Sequence, residues 1–494
     1  MLTRRGGPGQ GDRHGWRRGA VAALAGVATT EALTAALGQR SFLDAAGQLV
    51  VDHSPRVVVE RTVELLRSAD KPVVRGAVVA TVLAAGGVLG RTPRPLLREL
   101  GAMGALALAG AATARRGQHD HSAGAGTGLA VAAAGGAAAA TAALRAPAPV
   151  RLVVGALGTA GLAAGLRRHA HRRHEHDAAH TTQPLRVAQP LPPARDGAED
   201  WPRVAPLLIP VPDFYVTDVN MRPPTVDLRT WQLTVAGEVA HPLRLPYDQL
   251  LERNLIEFDA AMVCIHNRLG WNRLGNQRWT GIPLTNLLAE ADPTSAANTL
   301  VTRSVDGWEC SLPLRLLDEL DAYLVLGMGG QPLTTAHGFP ARVFVPGLYG
   351  QYTGAKWLTE IRLQTRPNPD YWAPRGWPRL PARVRPLSRI DHPADHSTHP
   401  AGPLTVTGVA WAPPHGVTVV EIAVDNRPWQ PAELAAELAP AAWRRWRAPL
   451  DLTFGTHELR VRATSRDGTV QDAAPQPPYP GGATGHHTVR IATQ

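Results

Sequence analysis

Five apolar runs bordered by arginine fill the first third of this 494-residue chain and divide it in two. They cover residues 19–38, 72–90, 96–114, 124–144 and 150–166. Arg17 and Arg18 precede the first; Arg91, Arg94, Arg115, Arg116, Arg145, Arg151, Arg167 and Arg168 border the others. About 20 apolar residues suffice to cross a bilayer as a helix, and Ala/Gly faces let such helices approach closely in lipid. Arg75, near one end of the second run, can snorkel. The expectation is an N-terminal α-helical transmembrane bundle over residues 1–170, with about five spans. A soluble Ala-rich bundle is the alternative. Residues 41–71 are amphipathic and suit the membrane interface. The spans carry almost no ionisable residues in their middles, which favours an anchor over an ion path. Basic residues lie on both sides of every span, so charge does not orient them. An odd number of spans with an inside N-terminus puts the remainder outside. The expected localisation is therefore a multi-pass cell-membrane protein with an extracytoplasmic soluble part.

The net charge of +10 comes largely from these arginine clusters and from RRHAHRRHEHDAAH at 167–180. No basic helix with interleaved aromatics appears, so a nucleic-acid partner is not expected. The histidine tract matches no closed zinc spacing; together with the Pro-rich sequence after it, residues 171–212 read as a His/Pro-rich stiff linker. Two cysteines cannot build a disulfide framework.

Beyond residue 200 the chain is Pro-rich and holds most of its thirteen Trp. Residues 227–237 alternate like a half-buried strand. Residues 283–291 read as a short helix, 300–305 as a strand and 312–320 as a helix. An apolar segment follows at 323–328. Strands mixed with short helices argue an α+β fold for residues 213–395. From about residue 402, strands at 404–411, 418–424, 456–463 and 487–491 are separated by Pro/Gly/Asp turns. That spacing suggests a β-sandwich over residues 396–494.

The chemistry concentrates in MVCIHNRLGWNRLGNQRWTG, residues 262–281. An apolar strand carries Cys264 to its end and opens into a polar loop. Alone, that cysteine is either a packing residue or a thiolate ligand or nucleophile. Downstream come His337 and Arg342 in HGFPARVFVPGLYG, then Gly354, Ala355 and Lys356. Arg and Lys beside Gly-rich backbone suit a phosphate. No nucleophile elbow, Walker loop or dinucleotide fingerprint is present.

With these residues in view, 213–237, 262–281, 303–313, 337–358 and 371–391 together resemble the sulfite-oxidase family of molybdopterin enzymes, above all its membrane-attached actinobacterial branch. The tail TVTGVAWAPPHGVTVVEIAVDNRPW resembles that family's Ig-like, dimerisation-type domain, the sole pointer to a homodimer. The resemblance implies a molybdenum-molybdopterin cofactor with Cys264 as the thiolate on the metal. It implies that His337, Arg342 and Lys356, with backbone at Gly354 and Ala355, hold the pterin and its phosphate. Tyr215 and Val216 would approach the cofactor from the other side, and Asp306 would contact the pterin. The implied activity is oxygen-atom transfer on a small sulfur- or nitrogen-oxide substrate, with an unidentified electron-transfer partner. The alternative is a cofactor-binding or scaffold protein of the same fold without turnover. No heme-binding motif is present.

The sequence departs from the family where it would bind an anion. Val216 stands where sulfite oxidases have Arg, and Leu269 follows Arg268 where they have a second Arg. Trp377 lies near the position of their catalytic Tyr, and His415 replaces another Arg. These changes bring a neutral sulfoxide or N-oxide into consideration. Arg273, Arg278, Arg375 and Arg389 are the candidates for replacement charge.

Overall fold

The computed structural model describes residues 8–36, 41–55, 70–91, 185–353, 355–368 and 382–494, together with 58, 61 and 62 and without 218, 221, 222 and 225. The apolar runs at 96–114, 124–144 and 150–166 and the histidine tract at 167–180 lie outside the described residues. The chain forms two compact units: Met1–Ala179 with Asp218–Thr225, and His180–Thr217 with Val226–Gln494.

In the first unit, helices span Pro8–Ala36, Phe42–His53 and Asp70–Gly90. Glycines let the first and third come together: Gly86 lies against Gly19 and Ala23, and Gly87 sits under the Trp16 ring. The Ser41 hydroxyl caps the second helix by accepting from the Asp44 N–H at 3.3 Å. Glu31 accepts from the same hydroxyl at 2.8 Å and from the Leu43 N–H at 2.9 Å. Arg75 pairs with Asp44 at 2.6 Å. Of the five expected spans, 72–90 and most of 19–38 fall on described residues. Among the described residues one helix, over Asp70–Leu89, is long and apolar enough to cross a membrane. The 19–38 run is helical within Pro8–Ala36, but Thr29, Thr30, Glu31 and Thr34 dilute it. Its Thr30 and Thr34 hydroxyls bond back to Gly26 O and Glu31 O.

The second unit holds two mixed sheets and a sandwich. The first sheet runs in the order Val187–Gln189, Leu255–Val263, Leu274–Pro283, Tyr323–Met328, Arg342–Phe344, with Gln331–Pro332 added on Tyr323–Met328. Met262 faces Gly275 and Val263 faces Leu274 across the central antiparallel pair. The second sheet runs Leu243–Pro246, Gln232–Gly237, Leu358–Gln364, Thr299–Ser304, Glu309–Pro313. The helix Leu284–Ala291 buries Leu284, Leu287, Leu288 and Ala291, the i, i+3, i+4, i+7 stripe of a one-sided helix. Each buried leucine contributes about 1.5–3 kcal/mol. The helix expected at 312–320 is instead the end of the Glu309–Pro313 strand followed by a short 3₁₀ turn, Leu314–Asp318.

The C-terminal sheets, one of four strands and one of five, enclose a core that takes Val406, Trp446 and Leu450 from one and Val420, Val461 and Ile491 from the other. Leu387–His392 pairs with Gly402–Trp411, so the sandwich begins upstream of residue 396. Arg444–Leu452 is a strand that alternation in the sequence did not reveal.

The described part of the expected linker, 185–212, is a strap. Ile209 N donates to Asn276 O at 2.9 Å, and the Asn276 and Gln277 amides return bonds to Leu207 O and Ile209 O at 2.9 and 2.8 Å. From the sandwich side, Trp443 Nε1 donates to Leu207 O at 3.0 Å. Asp196 meets Arg445 through Nε at 2.7 Å and through Nη2, with both side chains buried. Removing one partner of such a pair strands the other charge. Asp196→Ala is therefore expected to cost the second unit about 3–5 kcal/mol, read as a lowered urea midpoint. A shift no larger than that of an exposed-pair variant such as Glu433→Ala would contradict the strap's role.

Candidate functional site

Cys264 follows directly on the Leu255–Val263 strand and is 6% exposed. Its N–H donates to Arg273 O and its carbonyl accepts from Asn267 N, both at 2.9 Å. Burial pushes the thiol's pKa up, against the His266 amide, the Arg273 charge and the Thr217 hydroxyl, which lower it. Gly350 N donates to Val263 O at 2.7 Å and brings the second Gly-rich loop alongside. A Cβ at Gly350 would lie 3.5 Å from the Tyr215 hydroxyl and 4.0 Å from Cys264 Cα. A side chain there would fill the space between tyrosine and cysteine.

Tyr215 links the sulfur to the basic residues. Burial raises its pKa well above 10, the Cys264 charge adds to this, and Arg342 opposes it, so its hydroxyl keeps its proton. Phe214 stacks on Tyr215 with centroids 5.3 Å apart and meets His337 edge-on at 5.7 Å. His337 closes the 3₁₀ turn Thr335–His337, capped by Thr334. Its Nδ1 lies 2.7 Å from the Thr334 hydroxyl and its Nε2 3.4 Å from Phe214 O. A neutral ring donating from Nε2 to the carbonyl and accepting at Nδ1 satisfies both contacts. Burial and the nearby Arg342 hold its pKa down at about 4.

Arg342 opens the Arg342–Phe344 strand and is 6% exposed. Its Nη1 donates to His337 O at 3.2 Å, while its Nε is buried without a hydrogen-bond partner. Burial lowers its pKa to about 10, so it stays charged near neutrality. Lys356 Nζ donates to Ala336 O at 3.1 Å and lies 4.5 Å from the Trp357 ring centre. A buried guanidinium with an open donor beside an ammonium can receive a phosphate.

The remaining expectations divide. The Ala355 amide donates to the Thr302 hydroxyl at 3.2 Å, so it is engaged within the protein. Asp306 accepts from Trp308 N at 3.1 Å and from the Ser304 hydroxyl, bonds that shape the turn between Thr299–Ser304 and Glu309–Pro313. Val216 is 48% exposed. Gly354, Arg375 and Trp377 lie outside the described residues. Of the proposed replacement charges, Arg278 is held by both carboxylate oxygens of Asp259, at 3.0 and 2.8 Å. Arg389 is held by Asp391 at 2.5 Å. Arg273 is the one that acts on Cys264. His415 lies on the sandwich rim, 3.7 Å from Asp467. Sequence reasoning missed Thr217, Gly350 and Tyr349. Tyr349 is buried, and burial pushes its pKa up to about 12, with the Cys264 charge adding to this. The run LYGQYTG, next to the basic residues, was the available signal.

His337 and His487 are both held near about 4 by burial, below the ordinary 6.5. Between those values the unfolded chain binds more protons, so stability is full above about pH 6.5 and falls as pH drops towards 4. The expected loss is about 1–3 kcal/mol per imidazole. Urea midpoints at pH 7 and 4.5 test this. His487→Gln, which keeps an acceptor for the Ile390 N–H, should flatten the dependence, and an unaltered slope would contradict it.

The family described as "Oxidoreductase molybdopterin binding domain" matches residues 220–372. The chain is 30% identical over 151 residues to the uncharacterized oxidoreductase YuiH of Bacillus subtilis (strain 168), covering 31% of this chain and 74% of that one. It is 28% identical over 311 residues to the mitochondrial sulfite oxidase of Homo sapiens, covering 51% and 55%. It is 30% identical over 211 residues to the protein-methionine-sulfoxide reductase catalytic subunit MsrP of Gluconobacter oxydans (strain 621H), covering 37% and 64%. The chain thus spans little more than half the length of the curated sulfite oxidase. Among solved structures, the sulfane dehydrogenase SoxCD from Paracoccus pantotrophus aligns with a TM-score of 0.51 at 20% identity, over 63% of this chain and 95% of that one.

Proposed function

Because the chain belongs to the sulfite-oxidase family of molybdopterin-binding oxidoreductases, we propose that it transfers an oxygen atom between molybdenum and a small sulfur- or nitrogen-oxide substrate, with Cys264 as the thiolate on the metal. It is a molybdenum-dependent oxidoreductase with a molybdenum-molybdopterin cofactor. The observation that carries the reading is the buried Arg342 guanidinium with its unpartnered Nε, connected through Tyr215 to Cys264. An orphaned buried donor costs about 1–3 kcal/mol, and an anionic group placed there removes that cost.

In this reading Arg342 and Lys356 hold the cofactor's phosphate, and Gly350 leaves the space beside Cys264 open. Gly354 and Asp306 belong to the same proposed binding set. The protonated Tyr215 hydroxyl donates into that space. Neutral His337 contributes position: it holds Phe214, and Phe214 holds Tyr215. The bound cofactor supplies the two-electron redox chemistry. With the metal bound, Cys264 would be held as the thiolate, its proton released to solvent and the metal's charge offsetting the effect of burial.

The reading extends to membrane attachment through the N-terminal unit, supported by the Asp70–Gly90 helix and in keeping with the actinobacterial branch. It also extends to an extracytoplasmic catalytic unit, an electron-transfer partner and a homodimer through an Ig-like sandwich. A C-terminal reporter fusion tests the side of the membrane. A second reading, cofactor binding without turnover, draws on Arg278 and Arg389 being committed to carboxylates, which leaves fewer charges for a substrate anion.

Purified protein is expected to carry near-stoichiometric molybdenum and to turn over at least one of sulfite, methionine sulfoxide or nitrate. Cys264→Ser should lower that rate by about a hundredfold or more, while Cys310→Ser keeps it. Wild-type protein without molybdenum would sink the proposal; molybdenum without turnover on the panel would favour the second reading.

A further inference from the structure

The loop leaving Cys264 is closed at its base, where Cys264 N donates to Arg273 O at 2.9 Å; inside it, backbone bonds run from Asn267 N to Cys264 O at 2.9 Å and from Trp271 N to Arg268 O at 3.0 Å. The sandwich grips three successive residues of it. Arg389, on Leu387–His392, donates from Nη1 to Trp271 O at 2.9 Å. The His487 ring stands against Gly270, which has φ +74° and no room for a Cβ; the same ring accepts from Ile390 N at 3.0 Å. Leu269 packs beside Gly485, where a Cβ would come within 3.0 Å of Leu269 Cδ1.

Arg389 is itself held. Its Nε donates to Asp391 Oδ1 at 2.5 Å, and the two side chains are 11% and 16% exposed. Asp391 Oδ2 is buried without a partner, so this carboxylate's hydrogen bonding is committed to Arg389. Arg268 and Arg273 lie over the Trp271 ring, 5.4 and 5.5 Å from its centre. Asn267 Oδ1 fixes the Arg273 N–H at 2.9 Å.

We infer that Arg389 is a positioning residue: through Trp271 it sets the Arg268–Trp271–Arg273 stack beside Cys264, so that the sandwich fixes the surface meeting the substrate. This deepens the proposed function and rests on its assignment of Cys264. Two guanidiniums on an indole face recognise a small ligand that presents oxygen acceptors. A charge-assisted bond from a half-satisfied, buried ion pair is a stronger tether than the loop's own turns. Its removal releases the segment locally without unfolding the sandwich.

Hydrogen exchange on the full-length, cofactor-free protein tests this apart from the metal assignment. Arg389→Ala is expected to speed exchange at residues 268–273 about tenfold, leaving Gly402–Trp411 protected. Arg389→Lys, which keeps a cationic donor, should restore most of the protection. Asp196→Ala, which loosens the strap, should leave the loop unchanged. Sulfate, used as the oxyanion probe, should slow exchange of the wild-type loop, with apparent affinity about tenfold weaker in Arg389→Ala. Unchanged loop exchange in Arg389→Ala, or faster exchange spread equally over the sandwich strands, overturns the proposal. A wild-type loop that sulfate does not slow overturns the ligand class. Wild-type protein lacking molybdenum would overturn the function reading and leave the exchange result standing.

Discussion

The Gly350 N–H reaches the Val263 carbonyl at 2.7 Å, and the arrangement around the sulfur hangs from that bond. It docks a Gly-rich loop onto the last residue of a central strand, so Cys264 emerges opposite backbone and not opposite a side chain. The loop can come that close because position 350 adds no atoms between Tyr215 and Cys264. The rest of the arrangement depends on this approach. Tyr349 is drawn into the interior, where its hydroxyl accepts from Arg385 N at 3.5 Å. The sheet, not the loop, sets the position of the sulfur, as a site that needs a fixed ligand requires.

Some strands and one helix were legible from their period. Residues 455–465 alternate strictly enough to be read directly, and the Leu284–Ala291 helix declares itself by its leucine spacing. The strap was not legible, because a Pro-rich segment has no period to read. Its order comes from partners such as Asn276, Trp443 and Arg445, which are remote in sequence. The same remoteness hid the fate of Arg278. Whether an arginine is a free charge depends on a carboxylate that only the sheet register brings alongside, Asp259 opposite Arg278 in one case. Cys264, His337, Arg342 and Lys356 were singled out on residue type and position, and their roles came from the resemblance. Spacing alone would have left Cys264 a packing cysteine, and its burial is compatible with both roles. Asp306 was named through the resemblance as well, and its part in the local turn was not legible from spacing.

Charge accounting on the basic side of the site narrows what can bind there. Three residues looked cationic in the sequence, but burial keeps His337 neutral, and its ring nitrogens are occupied in holding Phe214 and meeting Thr334. The positive charge comes from Arg342 and Lys356. Elsewhere in this unit buried Arg445 has Asp196 and half-buried Arg278 has Asp259. Arg342 has a carbonyl on one nitrogen and nothing on Nε. A desolvated cation without a counter-charge is a large local cost in an otherwise well-paired interior. Such a cost is understandable where an anion is meant to arrive, and two positive charges match a phosphate near neutral pH. The underpaired arginine, more than the cysteine, is therefore the feature of this chain that a purely structural role leaves unexplained.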